Sequence, residues 1–133
     1  MSEAPDTGEP TAETVPHARL THTPAGVRLM ALDALAPGAA RNLVLQIGAG
    51  FFHGFVVRDG DSARGYVDRC PHAGLPLAQR LDEYLSEDGQ FIACSWHGAL
   101  FRIDDGQCVA GPCRGAALTE WPLNVRDGVV FTA

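Results

Sequence analysis

Apolar residues fall in short runs from Val27 onward, each closed by a glycine, proline or Asp-Gly signal, which is the texture of strands joined by tight turns. "VRLMALDAL" (27–35) and "ARNLVLQI" (40–47) predict two strands separated by Pro37-Gly38. "FFHGFVVRDG" (51–60) runs into "SARGYVDRC" (62–70), with Asp59-Gly60 as a hairpin signal. "QFIACSW" (90–96) and "ALFRIDDGQCVAG" (99–111) predict a further hairpin pair, with Asp105-Gly106 at a turn. "LTEWPLNVRDGVVFTA" (118–133) predicts a last one at Asp127-Gly128. "LAQRLDEYLSEDG" (77–89) is the only helix-like piece, and its acids Asp82, Glu83, Glu87 and Asp88 read as a solvated turn. The expectation is an all-β domain of antiparallel sheets with long loops around residues 70–98.

Residues 1–26 read differently. They are rich in Pro, Thr, Glu and Ala, lack apolar periodicity, and predict a disordered leader ahead of one domain at 27–133. His17 and His22 lie in that leader and receive no role; His53, inside a strand-like run, reads as a packing residue.

Composition narrows the function. At 133 residues the chain is one domain's worth, and its 46% hydrophobic content is too dispersed for a membrane span. The 15 glycines and 9 prolines favour a turn-rich β fold. The net charge of −6 is uneven: Glu3, Asp6, Glu9 and Glu13 give the first 18 residues −4, leaving −2 for the rest. No basic stripe suggests nucleic acid, and the absence of lysine excludes Schiff-base chemistry. "MSEAPDTGEPTAETVP" has neither a basic n-region nor an apolar h-region, so a cytoplasmic location is expected. There, the four cysteines (70, 94, 108 and 113) lean toward metal or redox work rather than disulfides.

Two of them sit in boxes with histidine: "CPHAGL" gives Cys70-x-His72, and "CSWHGALF", 21 residues on, gives Cys94-x-x-His97. Two soft thiolates and two imidazoles suit zinc or an iron–sulfur cluster. A Cys and a His one residue apart are tight for a single tetrahedral ion, whereas a dinuclear cluster lets each loop place its Cys on one metal and its His on the other. Gly74 and Gly98 permit the turns such loops need, Pro71 stiffens the first, and Trp96 either shields the site or simply packs.

The doubled box resembles that of Rieske [2Fe–2S] proteins, in which two Cys bind one iron and two His the other. The resemblance covers roughly residues 27–133, with a cluster-binding part of loops and hairpins at about 69–113, and Gly111-Pro112 matches the family's proline loop. It implies a Rieske-like fold and one [2Fe–2S] cluster, held by the sulfurs of Cys70 and Cys94 and the nitrogens of His72 and His97. Cys108 and Cys113 bracket the Gly-Pro loop outside both boxes, as a local disulfide or as thiols; a reducing cytosol favours thiols.

Only 36 residues follow His97, too few for the mononuclear-iron domain of an oxygenase subunit. The resemblance therefore implies a stand-alone Rieske-type ferredoxin, an electron carrier rather than an enzyme, working between a ferredoxin reductase and a terminal oxygenase or other redox protein. The alternatives are a redox-sensing or interaction module using the same cluster, and a structural zinc domain. High-potential respiratory Rieske proteins, which this chain resembles, carry a Ser and a Tyr where Ala99 and Phe101 stand, and a disulfide at positions matching Leu75 and Trp96. Without those hydroxyls and that tie, the expected potential lies near the low end of roughly −150 to +300 mV.

Overall fold

The computed structural model describes residues 19–71, 76–78, 82–95 and 98–133. Ten strands account for nearly all of its regular structure: β1 (Arg19–Leu20), β2 (Arg28–Ala31), β3 (Ala40–Ile47), β4 (Gly50–Asp59), β5 (Ser62–Val67), β6 (Phe91–Ala93), β7 (Leu100–Arg102), β8 (Cys108–Ala110), β9 (Leu123–Arg126) and β10 (Val129–Thr132). They form three sheets: β3, β4 and β5 with the short β1; β2, β10 and β9; and β6, β7 and β8. All pairings are antiparallel except that of β1 with β4.

The turns follow from the residues at their tips. Ile47 pairs with Gly50 and Asp59 with Ser62, so both hairpins turn on two residues whose first is a glycine at positive φ, Gly48 and Gly60. At the β9–β10 turn Asp127 and Gly128 both have positive φ, the geometry that matches the right-handed twist of the flanking strands.

β4 is the dividing wall. Its alternating side chains feed two separate cores: Phe52 and Val56 point to one, Phe55 and Val57 to the other. The first core gathers Met30, Leu32, Leu35, Val67 and Val130 around Trp121, whose ring lies 4.6 Å from that of Phe52. The second takes in all four cysteines with Tyr66, Leu77, Tyr84, Ile92, Phe101 and Leu118. The β6–β7–β8 sheet belongs to this second core, and the site is built there.

Three expectations need correction. Residues 19–26, assigned to the disordered leader, pack on the domain: β1 lies along Phe51–Phe52, Thr23 accepts a hydrogen bond from Trp121 Nε1, and Gly26 and Val27 are tied to Thr132. Residues 1–18 lie outside the described residues. The run 27–35 is a strand only to Ala31, because Leu32–Ala34 turn in a 3-10 helix that buries Leu32. The described part of 77–89 is not helical: Asp82 takes a positive φ, Tyr84 is drawn inward and Leu85 bridges to Ile92. Among the described residues no helix is long and apolar enough to cross a membrane.

Candidate metal centre

Two chain segments converge in the second core. One leaves β5 at Val67 and reaches Cys70 three residues later; the other leaves β6 at Ala93 and turns immediately through Cys94. The second turn is closed on itself, with the Cys94 N–H bonded to the Ala99 carbonyl and the Gly98 N–H to the Cys94 carbonyl. Gly98 sits at φ 70°, the left-handed conformation expected of it. Cys70 and Cys94 are each 1% exposed, and their sulfurs face each other at 3.4 Å.

That separation speaks to their chemistry. Sulfurs in a disulfide stand about 2.05 Å apart, whereas two thiolates on one tetrahedral metal with bonds of about 2.3 Å stand about 3.7 Å apart. Both cysteines are free, and at 3.4 Å their sulfurs are unbridged and near the spacing of two ligands on one metal. His72, His97, Gly74 and Trp96 lie outside the described residues. His53 stands in β4 opposite Val44, and its carbonyl accepts the Asp68 N–H.

The segments are held in register by a residue that pattern reading missed. Asp68 is 5% exposed, two positions before Cys70. One carboxylate oxygen accepts the Leu77 N–H at 2.9 Å; the other accepts the Tyr84 hydroxyl at 2.9 Å and the Asn42 side-chain amide at 3.3 Å. The Leu77 carbonyl in turn accepts the Ser95 N–H at 2.8 Å, next to Cys94. Asp68, Leu77 and Ser95 thus form a hydrogen-bonded clasp from the head of the first box to the second. Asn42 reaches into the same network, and its N–H is bonded to Asp82 at 2.7 Å, so that acid is a structural partner and not part of a solvated turn. Glu83, Glu87 and Asp88 are exposed, as expected. Tyr84 stacks on Phe55 with ring centroids 4.2 Å apart, and burial raises its hydroxyl pKa well above the usual tyrosine range. The signal that was available is the acid of "YVDRC": a charged residue following Tyr66 and Val67, both buried, needs partners.

Cys108 and Cys113 lie in the same buried cluster as Cys70 and Cys94. Both are buried free thiols, and their sulfurs are 3.1 Å apart. Burial and the neighbouring Cys108 push the Cys113 thiol up to about 12. Between them Gly111 packs on Ala99: a Cβ at 111 would come within 2.7 Å of the Ala99 Cα, so only glycine fits. Ala99 and Phe101 are fully buried and present no hydroxyl.

Comparison with known proteins places these features. The family described as Rieske [2Fe-2S] domain matches residues 33–124. The ferredoxin component of the p-cumate 2,3-dioxygenase system of Pseudomonas putida is 38% identical over 64 residues, which are 48% of this chain and half the length of that relative. Ferredoxin CarAc of Metapseudomonas resinovorans is 28% identical over 107 residues, covering 80% of this chain and 92% of the relative. Among solved structures, a complex of reduced oxygenase and oxidized ferredoxin in carbazole 1,9a-dioxygenase contains a chain that superposes with a TM-score of 0.63 at 28% identity, over 80% of this chain and 91% of that one.

Proposed function

The chain belongs to the Rieske [2Fe-2S] domain family, and we propose that within it this protein is a ferredoxin, a carrier of single electrons from a reductase to a terminal oxygenase or similar acceptor. The observation that carries the reading is the pair of buried, unbridged cysteines at 3.4 Å, in a chain similar to CarAc over most of both lengths. Family membership decides for an iron–sulfur cluster over structural zinc. When bound, that cluster supplies reversible one-electron chemistry at a site with no net charge in its oxidised form.

The chain's own residues do the rest. By the family's pattern, Cys70 and Cys94 would hold one iron through sulfur, and His72 and His97 would hold the other through nitrogen. The clasp from Asp68 through Leu77 to Ser95 keeps the two boxes in register. Phe101 and Ala99 withhold the hydroxyl donors that would favour the reduced state. On this reading the midpoint lies near the low end of roughly −150 to +300 mV, suited to feeding an oxygenase. The oxygenase partner is supported by the likeness to a chain solved in a complex of oxygenase and ferredoxin. We place the protein in the cytoplasm, whose reducing conditions favour Cys108 and Cys113 as thiols.

The test is spectroscopic, then kinetic. The loaded protein should show the visible absorption and the reduced-state electron spin resonance of a Rieske centre. His72→Ala or His97→Ala should abolish that signal, and His53→Ala should leave it. The protein should then be reduced by a ferredoxin reductase and reoxidised by a terminal oxygenase with substrate. A cluster that is reduced but passes its electron to no oxygenase, or a midpoint well above zero, would overturn the carrier reading.

A further inference from the structure

Two of the four cysteines have no part in the site described so far, and their setting is unusually well prepared for one reaction. The Cys108 and Cys113 sulfurs, already 3.1 Å apart, need to approach by only about 1 Å to reach bonding distance. Their backbones are pinned by one residue: the Cys108 N–H is bonded to the Ala116 carbonyl, and the Cys113 carbonyl accepts the Ala116 N–H, at 3.0 and 2.9 Å. The intervening loop is spanned again by Arg114, whose N–H is bonded to the Gly111 carbonyl and whose guanidinium donates to the Val109 carbonyl. Closing the ring therefore orders nothing that is not already ordered.

We propose that Cys108 and Cys113 are a site of reversible oxidative modification, a dithiol that a small hydroperoxide closes to a disulfide across the Gly111-Pro112 loop. Burial and the raised Cys113 pKa slow the reaction, and with each residue only 6% exposed an oxidant the size of hydrogen peroxide reaches the pair where a glutathione-sized disulfide does not. One sulfur takes an oxygen from the peroxide to give a sulfenic acid, with release of the first water. The second sulfur displaces that oxygen as a second water and forms the S–S bond. The O–O bond and both S–H bonds break, two electrons pass from the sulfurs to the peroxide, and both thiol protons leave in water. This two-electron event is chemically separate from single-electron transfer. Its location gives it a consequence: Gly111 rests on Ala99, one residue beyond Gly98 of the second box, so the cross-link stiffens the loop that abuts that box. It also removes the Cys108 thiol from the Ala110 carbonyl, which lies 3.2 Å away.

The experiment treats the cluster-loaded protein with a small excess of hydrogen peroxide, then unfolds it in N-ethylmaleimide and maps the peptides by mass. The expected result is full labelling of Cys70 and Cys94, loss of label at Cys108 and Cys113, and one peptide lighter by two hydrogens that dithiothreitol restores. In Cys113→Ser, Cys108 should instead become reactive to dimedone, which traps sulfenic acid. Oxidation of Cys70 and Cys94 ahead of the pair would overturn the proposal. So would sulfinic acid at 108 without any cross-link, or a pair masked from label only when zinc is added. None of these readouts depends on a redox partner, so the proposal stands or falls separately from the carrier function.

Discussion

Replacing Asp68 by Asn tests the clasp directly, because the amide matches the carboxylate in shape but has one acceptor oxygen where the native residue has two. If that oxygen keeps the Leu77 N–H, the new NH₂ faces two donors, the Tyr84 hydroxyl and the Asn42 amide. Hydrogen bonds to a charged group contribute about 1.5–3 kcal/mol each, and one donor–donor contact adds to the loss. A destabilisation of about 2–4 kcal/mol follows, lowering the melting temperature by roughly 8–15 °C in a domain of this size. The same change should move the reduction potential. Two residues of chain put the carboxylate within roughly 8 Å of Cys70. At an effective dielectric constant of ~20, a unit charge at that distance is worth about 2 kcal/mol, or about 90 mV for one electron. Removing a negative charge eases electron addition, so the midpoint should rise, by about 40–90 mV once solvent relaxation is allowed for. Tyr84→Phe is the control: it deletes one donor to Asp68 and one acceptor of the Asn42 amide but keeps the charge, so it should lower stability by about 1–3 kcal/mol and leave the midpoint in place. Thermal unfolding by circular dichroism and a potentiometric titration read both quantities. An Asp68→Asn protein that melts within about 2 °C of wild type with an unmoved midpoint would refute the role given to this residue.

Two further outcomes are expected. The chain's only tyrosines, 66 and 84, are both buried, and burial raises both pKa values, that of Tyr66 to about 12. Above the ordinary value of 10 the unfolded chain releases protons that the folded one keeps, so stability should fall from pH 10 upward, and across pH 10 to 12 for Tyr66; phenolate absorbance appearing well before unfolding would contradict this. Deleting residues 1–18 should leave the melting temperature nearly unchanged, whereas deleting 1–26 should lower it by several degrees, because Thr23, Pro24 and Gly26 bond to Trp121 and Thr132. Equal melting temperatures for the two truncations would show those contacts to be dispensable.

What could be read in advance was whatever is encoded locally. Asp-Gly at 59–60 and 127–128 announced two hairpins because positive φ is a property of the residue itself. The approach of Cys70 and Cys94 was equally plain from their boxes, while the two histidines lie outside the described residues. β1 was not legible: a two-residue strand has no periodicity, and its partners, Phe51 and Phe52, lie some thirty positions away. Over the described part of 77–89 the helix-like reading failed for the same reason. Tyr84 and Asp82 answer to Asp68 and Asn42, and that demand outweighs any local preference for a helix.

The clasp bears on how the protein is assembled. Segments joined covalently by a disulfide would need a reductant to part. Here the join runs through the peptide groups of Leu77 and Ser95 and the carboxylate of Asp68, so it opens by thermal fluctuation and recloses unaided. Because two of its three members act through backbone atoms, substitutions at 77 or 95 can change side chains without breaking it. On the proposed function, loading or reloading the cluster would then need no reductant to part the two segments, with the aspartate as the latch between them.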